Sequence, residues 1–122
     1  MQGNIPPEAQ ETLQELQSLQ EQAQQVAVQK TEAERALREA ENASETLEEV
    51  DAEATMYQEV GDLLIETNYA DAEEELKNRI SNLQIRVDTL EKQENRVESQ
   101  FEELQQELQQ KLGGGVGGAG GA

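Results

Sequence analysis

Two long heptad arrays that mirror one another across a single glycine constrain this chain more than any other feature. From Glu8 to Val50 there is no glycine or proline. One row of core positions takes Ala9, Leu16, Ala23, Lys30, Leu37 and Ser44; the other takes Thr12, Leu19, Val26, Ala33, Ala40 and Leu47. Beyond Asp71 a second array takes Leu76, Leu83, Leu90, Val97, Leu104 and Lys111, with Ile80, Val87, Glu94, Phe101 and Leu108. A 3.5-residue repeat kept for about six heptads is the pattern of a coiled-coil helix, and residues 8–50 would make one ~65 Å long at 1.5 Å per residue. Pro6-Pro7 cannot continue a helix from upstream but can open one. Glu8 and Glu11 then stand where a helix N-terminus favours negative charge. Asp71 followed by Glu74 resembles a capping box, which starts the second helix at 71. That helix is expected to end at Leu112, where Gly113-Gly114-Gly115 begins. The glycine- and alanine-rich tail 113–122 cannot bury enough surface to repay its ordering, so it is expected to be disordered.

Between the arrays, residues 55–67 read as a β-hairpin. Gly61-Asp62, with glycine first, suits a type II′ loop because glycine accepts positive φ without a Cβ clash. Pairing across it sets Val60 opposite Leu63, Gln58 opposite Ile65 and Met56 opposite Thr67. One face is then mostly apolar (Met56, Val60, Leu63, Ile65), and the other carries Tyr57, Glu59, Leu64 and Glu66. A lone hairpin is marginal in water. Nothing else in the chain can supply further strands, so the partners are expected from other chains.

Symmetry about Gly61-Asp62 makes facing residue numbers add to about 123 in an antiparallel pairing. Leu47 then meets Leu76, Ala40 meets Leu83, Val26 meets Val97, Leu19 meets Leu104 and Leu16 meets Leu108. Small faces large at Ala23–Phe101 and Ala33–Leu90, as interdigitated packing wants. Lys30 lands opposite Glu94, a polar layer of the kind that fixes register more than it adds stability. The alternative is that both side chains snorkel out of the seam. The expected fold is mainly α: an antiparallel two-helix coiled coil (1–112) joined by one β-hairpin. Both termini are expected together at the far tip.

Composition removes most chemistry. The chain has 122 residues, room for one domain, with one Phe, two Tyr and no Trp. There is no cysteine for a disulfide or thiolate metal site and no histidine for acid–base work or metal ligation. Clustered carboxylates such as Glu73-Glu74-Glu75 read as a solvated helix face. Neither an EF-hand spacing nor a phosphate-binding glycine loop is present. No enzyme, cofactor or metal is therefore expected. There is no apolar run long enough for a membrane span and no visible secretory signal, which makes a cytoplasmic protein the expectation. With 27 acidic against 9 basic residues the formal charge is −18, which argues against nucleic acid and anionic membranes as partners. The acidity is either a solvated helix surface or an adaptation to molar salt; its spread along both helices favours the second.

Apolar residues also gather where the array ends. Leu16, Leu104 and Leu108 are accounted for by the last heptads. Ile5, Leu13 and Leu112 fall at or outside the seam, and Val116 lies in the tail. Fraying at an unanchored end would expose this seam part of the time, and several such tips could grip apolar segments of another protein.

Three stretches together carry a family resemblance: Ile5-Pro6-Pro7 at a helix start, Tyr57-Gln58-Glu59-Val60-Gly61 then Leu63-Leu64-Ile65 in the hairpin, and Glu75-Leu76…Leu83…Arg86…Leu90-Glu91-Lys92-Gln93-Glu94 in the second helix. In this combination and order, over residues 4–112, the chain resembles archaeal prefoldin beta subunits. A single hairpin is similar to the beta type; the alpha type carries two. The acidity departs from the family in the manner of a salt-loving archaeon, and the glycine tail matches no part of the pattern. The resemblance implies a hexamer of two alpha and four beta subunits, with a double β-barrel platform contacted through Tyr57, Val60, Leu63, Leu64 and Ile65. It implies coiled-coil tentacles that hold unfolded client proteins without ATP and pass them to a group II chaperonin. The client-holding region would lie around Ile5, Leu13, Leu16, Leu104, Leu108 and Leu112. The competing reading is a structural coiled-coil spacer or tether without chaperone activity, in which open hairpin edges would polymerise.

Overall fold

The structure, a computed structural model, describes residues 5–121, with side chains described as far as residue 113. The side chain of Val116 and the whole of residues 1–4 and 122 lie outside the described residues. The elements run α1 (Pro7–Glu49), β1 (Met56–Val60), β2 (Leu63–Thr67) and α2 (Tyr69–Gly121). The chain divides into two compact units, one of Met1–Gln29 with Leu90–Ala122 and one of Lys30–Thr89.

In the first unit α1 opens at Pro7, one residue before the expected start. Proline serves at this position because the first turn's amide has no intrahelical acceptor. The Gln10 amide bonds the Pro6 carbonyl at 3.0 Å, and its side chain donates to the Ile5 carbonyl at 3.2 Å. Ala9, Thr12, Leu16, Leu19, Leu90 and Val97 are buried, and Ala23, Val26, Glu94, Phe101, Leu104, Leu108 and Lys111 are half-buried. Every one is a heptad position, so the 3.5-residue repeat selects what is sheltered. The pairing order is antiparallel. Lys111 Nζ donates to Thr12 Oγ1 at 2.9 Å, one groove brings Leu19 beside Leu104, and another brings Val26 beside Val97. These three pairs obey the mirror sum set by the hairpin.

In the second unit Ala33 and Ala40 are buried, and Lys30, Leu37, Ser44, Leu47, Leu76, Ile80, Leu83 and Val87 are half-buried. Helix α1 stops at Glu49, where the Val50 amide bonds the Leu47 carbonyl at 3.1 Å. Asp51 then turns the chain: its side chain accepts the Glu53 amide at 2.9 Å, and its carbonyl accepts the Ala54 amide at 2.9 Å. The strands pair antiparallel in the expected register, Met56 with Thr67 through Val60 with Leu63. Gly61 has φ +60°, and among the described residues none other than glycine has positive φ. Positive φ at the first loop position alone is the signature of type II′ rather than type I′.

Two boundaries differ from the sequence expectation by more than one residue. Helix α2 starts at Tyr69, not at 71, because Asn68 is the cap. Its Oδ1 accepts the Asp71 amide at 2.9 Å, and its Nδ2 donates to Asp71 Oδ2 at 2.9 Å. Asp71 is thus the third helical residue answering a cap, the role the spacing had given to Glu74. At the other end α2 runs on to Gly121 rather than ending at Leu112. The expected stop rests on the poor helix propensity of glycine, about 1 kcal/mol per residue relative to alanine.

Candidate assembly and client-binding surfaces

The hairpin presents apolar side chains that its own chain does not cover. Tyr57 is 62% exposed, Leu63 64% and Leu64 71%, with Val60 and Ile65 near half. Among the described residues nine large apolar side chains are exposed, and these five fall within β1, the loop and β2. Strand alternation divides them. Val60, Leu63 and Ile65 share a face with Met56, Gln58 and Thr67, which are half-buried at the hairpin's root. Tyr57 and Leu64 share the opposite face with Glu59 and Glu66, all exposed. Among the described residues the sheet has two strands, so the outer rows of backbone donors and acceptors on both are open to pairing. Open edges combined with apolar faces form a surface suited to burial by further strands.

The first unit carries the residues expected to hold clients, and burial sorts them. Ile5 and Leu112 are exposed, Leu13, Leu104 and Leu108 are half-buried, and Leu16 is buried. The sequence reading had placed Leu16, Leu104 and Leu108 in the closed seam and Ile5, Leu13 and Leu112 at or beyond it; Leu13 is half-buried like Leu104 and Leu108, so burial alone does not separate the two groups. Lys30 and Glu94 are each half-buried at seam positions of their own units.

A polar layer that the sequence reading did not single out lies in the first unit. Lys111 Nζ donates to Thr12 Oγ1 at 2.9 Å and approaches the Glu8 carbonyl at 3.5 Å, and it pairs with Glu107 Oε1 at 3.1 Å. Thr12 is 2% exposed, and its hydroxyl donates to the Glu8 carbonyl at 3.0 Å. The buried hydroxyl is therefore satisfied both as donor and as acceptor. The available signal was positional: Thr12 and Lys111 are both seam residues and meet under the mirror rule. A search for opposite charges passes over a lysine facing a threonine.

Among the described residues no group of three or more acidic side chains is arranged to hold a metal ion. Nor, among the described residues, is any helix long and apolar enough to cross a membrane. The concave features among the described residues include open grooves along helices, lined mainly by glutamine and glutamate, and a hollow between the hairpin and the start of α2 that Tyr57, Thr67, Leu76 and Arg79 help to line.

The prefoldin subunit family matches residues 10–115. The chain belongs to that family. It is 56% identical over 81 residues to the prefoldin subunit beta of Halobacterium salinarum, a match covering 66% of this chain and 65% of that protein. The chain thus spans just under two thirds of that relative's length. To the prefoldin subunit beta of Methanococcoides burtonii it is 40% identical over 105 residues, covering 86% of this chain and 90% of that one. Its fold is similar to the crystal structure of the prefoldin beta subunit from Thermococcus strain KS-1. There the TM-score is 0.80 at 37% identity, covering 89% of this chain and 96% of that one. In this prefoldin-family chain the hairpin carries most of the large apolar side chains exposed among the described residues, and Ile5 and Leu112 are exposed in the first unit.

Proposed function

We propose that this chain is a subunit of an ATP-independent molecular chaperone. It captures unfolded proteins with the ends of its coiled coil and transfers them to a group II chaperonin. The observation that carries the assembly half is the hairpin: five exposed apolar side chains on a sheet with both edges open. Docking it against hairpins of sister subunits and of a prefoldin alpha subunit, in a hexamer of two alpha and four beta, would close the edges and bury the apolar faces. Tyr57, Val60, Leu63, Leu64 and Ile65 are the contacts. The gripping half is assigned to Ile5, Leu13 and Leu112, assisted by Leu16, Leu104 and Leu108 when the seam opens. Such work needs no catalytic group, and the reading places the protein in the cytoplasm.

The test is light scattering from a chemically unfolded protein diluted into the chain co-assembled with an alpha subunit. Suppression of scattering is expected, and it should be lost when Ile5, Leu13 and Leu112 are all replaced by serine without loss of assembly. Equal scattering with and without the assembly would overturn the chaperone reading and leave a structural spacer.

A further inference from the structure

The first unit has a feature that the gripping residues do not account for. One flank of its paired helices is grooved, and the groove changes character along its length. At one part Leu19 and Leu104 form the floor, and Glu15, Glu103 and Glu107 the rim. At the next, joined through Gln100, Val26 and Val97 form the floor between the amides of Gln22, Gln25 and Gln93, with Arg96 beside Val97. In the groove's helical segments no lysine or arginine occurs between residues 5 and 29, and Lys111, the nearest cation beyond Glu103, is held by Glu107 and Thr12.

We propose that this groove is a binding site for an extended segment of an unfolded polypeptide, apolar along its length and carrying Lys or Arg at one end. The inference rests on the chaperone reading and deepens it by naming the class of segment held. Three properties fit that occupant. An apolar floor flanked by primary amides can meet both the side chains and the free backbone groups of an extended chain, since each amide donates and accepts. Backbone bonding of that kind is indifferent to sequence, as a site for many clients requires. The rim carboxylates of Glu15 and Glu103 supply the charge complementarity, attracting a cationic end and rejecting an anionic one, while Glu107 shares its charge with Lys111. Size agrees as well: Glu15 to Gln29 spans ~21 Å of helix at 1.5 Å per residue, which accommodates about six residues of extended chain at 3.3 Å each.

The experiment uses the full chain co-assembled with its alpha partner and two fluorescent peptides. Both alternate leucine with serine over about six residues; one ends in two lysines, the other in two glutamates. Fluorescence anisotropy at about 0.1 M salt should give roughly ten-fold tighter binding of the lysine peptide, the effect expected of two exposed ion pairs, with Glu15 and Glu103, acting together. Replacing Glu15 and Glu103 by glutamine should bring the ratio toward one while circular dichroism stays unchanged. Because the chain has no cysteine, a probe on Ser18→Cys reports the groove and one on Gln20→Cys the opposite flank. Only the first should respond to peptide. Equal binding of the two peptides, or a response at Gln20→Cys alone, overturns the proposal while suppression of aggregation by the same sample leaves the chaperone reading standing. Failure to bind either peptide together with failure to suppress aggregation overturns both.

Discussion

Replacing Thr12 by valine and Lys111 by leucine, singly and together, measures what the polar layer in the first unit contributes. Thr12 is 2% exposed and its hydroxyl is fully used. A hydrogen bond to a charged donor is worth about 1.5–3 kcal/mol net. Lys111 keeps 29% of its side chain in solvent and keeps Glu107 as a partner, so the loss on Thr12→Val should be smaller, about 1 kcal/mol. Lys111→Leu removes the ammonium but leaves Thr12 donating to the Glu8 carbonyl, and it adds apolar contact in the seam; the two effects roughly cancel. The double substitution removes both polar partners and leaves an apolar layer, which should stabilise the chain by about 1 kcal/mol. The expected coupling between the sites is therefore about 2 kcal/mol. Urea melts followed by far-UV circular dichroism, at one fixed protein concentration because assembly shifts apparent stability, give all four corners of the cycle. Molar salt shortens screening to ~3 Å, so it should weaken the Lys111–Glu107 pair and leave most of the coupling to the uncharged Thr12 hydroxyl. A coupling within about 0.5 kcal/mol of zero is ordinary additivity and would refute the layer's role. So would a double variant less stable than either single one.

Three further outcomes are expected. Leu64→Ser should leave the melt of the free chain unchanged, since Leu64 is largely exposed there, yet weaken each hairpin contact in the assembly by about 1.5–2 kcal/mol of lost burial; analytical ultracentrifugation would register the dissociation. Leu90→Ala should cost about 2–4 kcal/mol in a urea melt, because Leu90 is 4% exposed and its removal leaves a cavity. Gly61→Ala meets no neighbouring atom, but it must hold φ +60°. It should cost about 1–2 kcal/mol through backbone strain, seen as faster amide exchange in β1 and β2.

What could be read from the sequence follows from how strongly each feature is over-determined. The seam was legible because sheltered heptad positions recur along both helices, and among the described residues all the buried ones are drawn from it. Hairpin register was legible because a glycine at the first loop position admits one pairing, and the same pairing sets Thr12 against Lys111 far along the chain. The cap of α2 was misplaced because Asn68, Asp71 and Glu74 are all competent partners, and only backbone geometry decides that Asn68 comes first. The layer around Lys111 was passed over because its partners on α1 are a hydroxyl and a carbonyl, groups that leave no charge pattern to notice. The groove was invisible for a related reason. Its floor is made of seam residues already assigned to packing, and its walls are exposed glutamines and glutamates that heptad spacing leaves free to vary.

The distribution of exposed apolar surface separates the two jobs proposed for this chain. Five of the nine exposed apolar side chains crowd into the hairpin, where neighbours on one face can be buried together. At about 25 cal/mol per Å² such a patch suits contacts that stay closed. In the first unit the exposed apolar residues are Ile5, Val28 and Leu112, far apart in sequence and set among polar neighbours. A single grip of that size is weak, and weakness is what a handover requires, because a client held too firmly could not leave for the next chaperone. Several such grips on one platform would hold a long unfolded chain through effective concentration, without any one contact being strong. Mixed assemblies test this directly. If chains carrying the Ile5, Leu13 and Leu112 replacements are titrated against unmodified ones, client affinity should fall steeply with the number of modified subunits. A fall in simple proportion to that number would mean that each subunit holds its client alone.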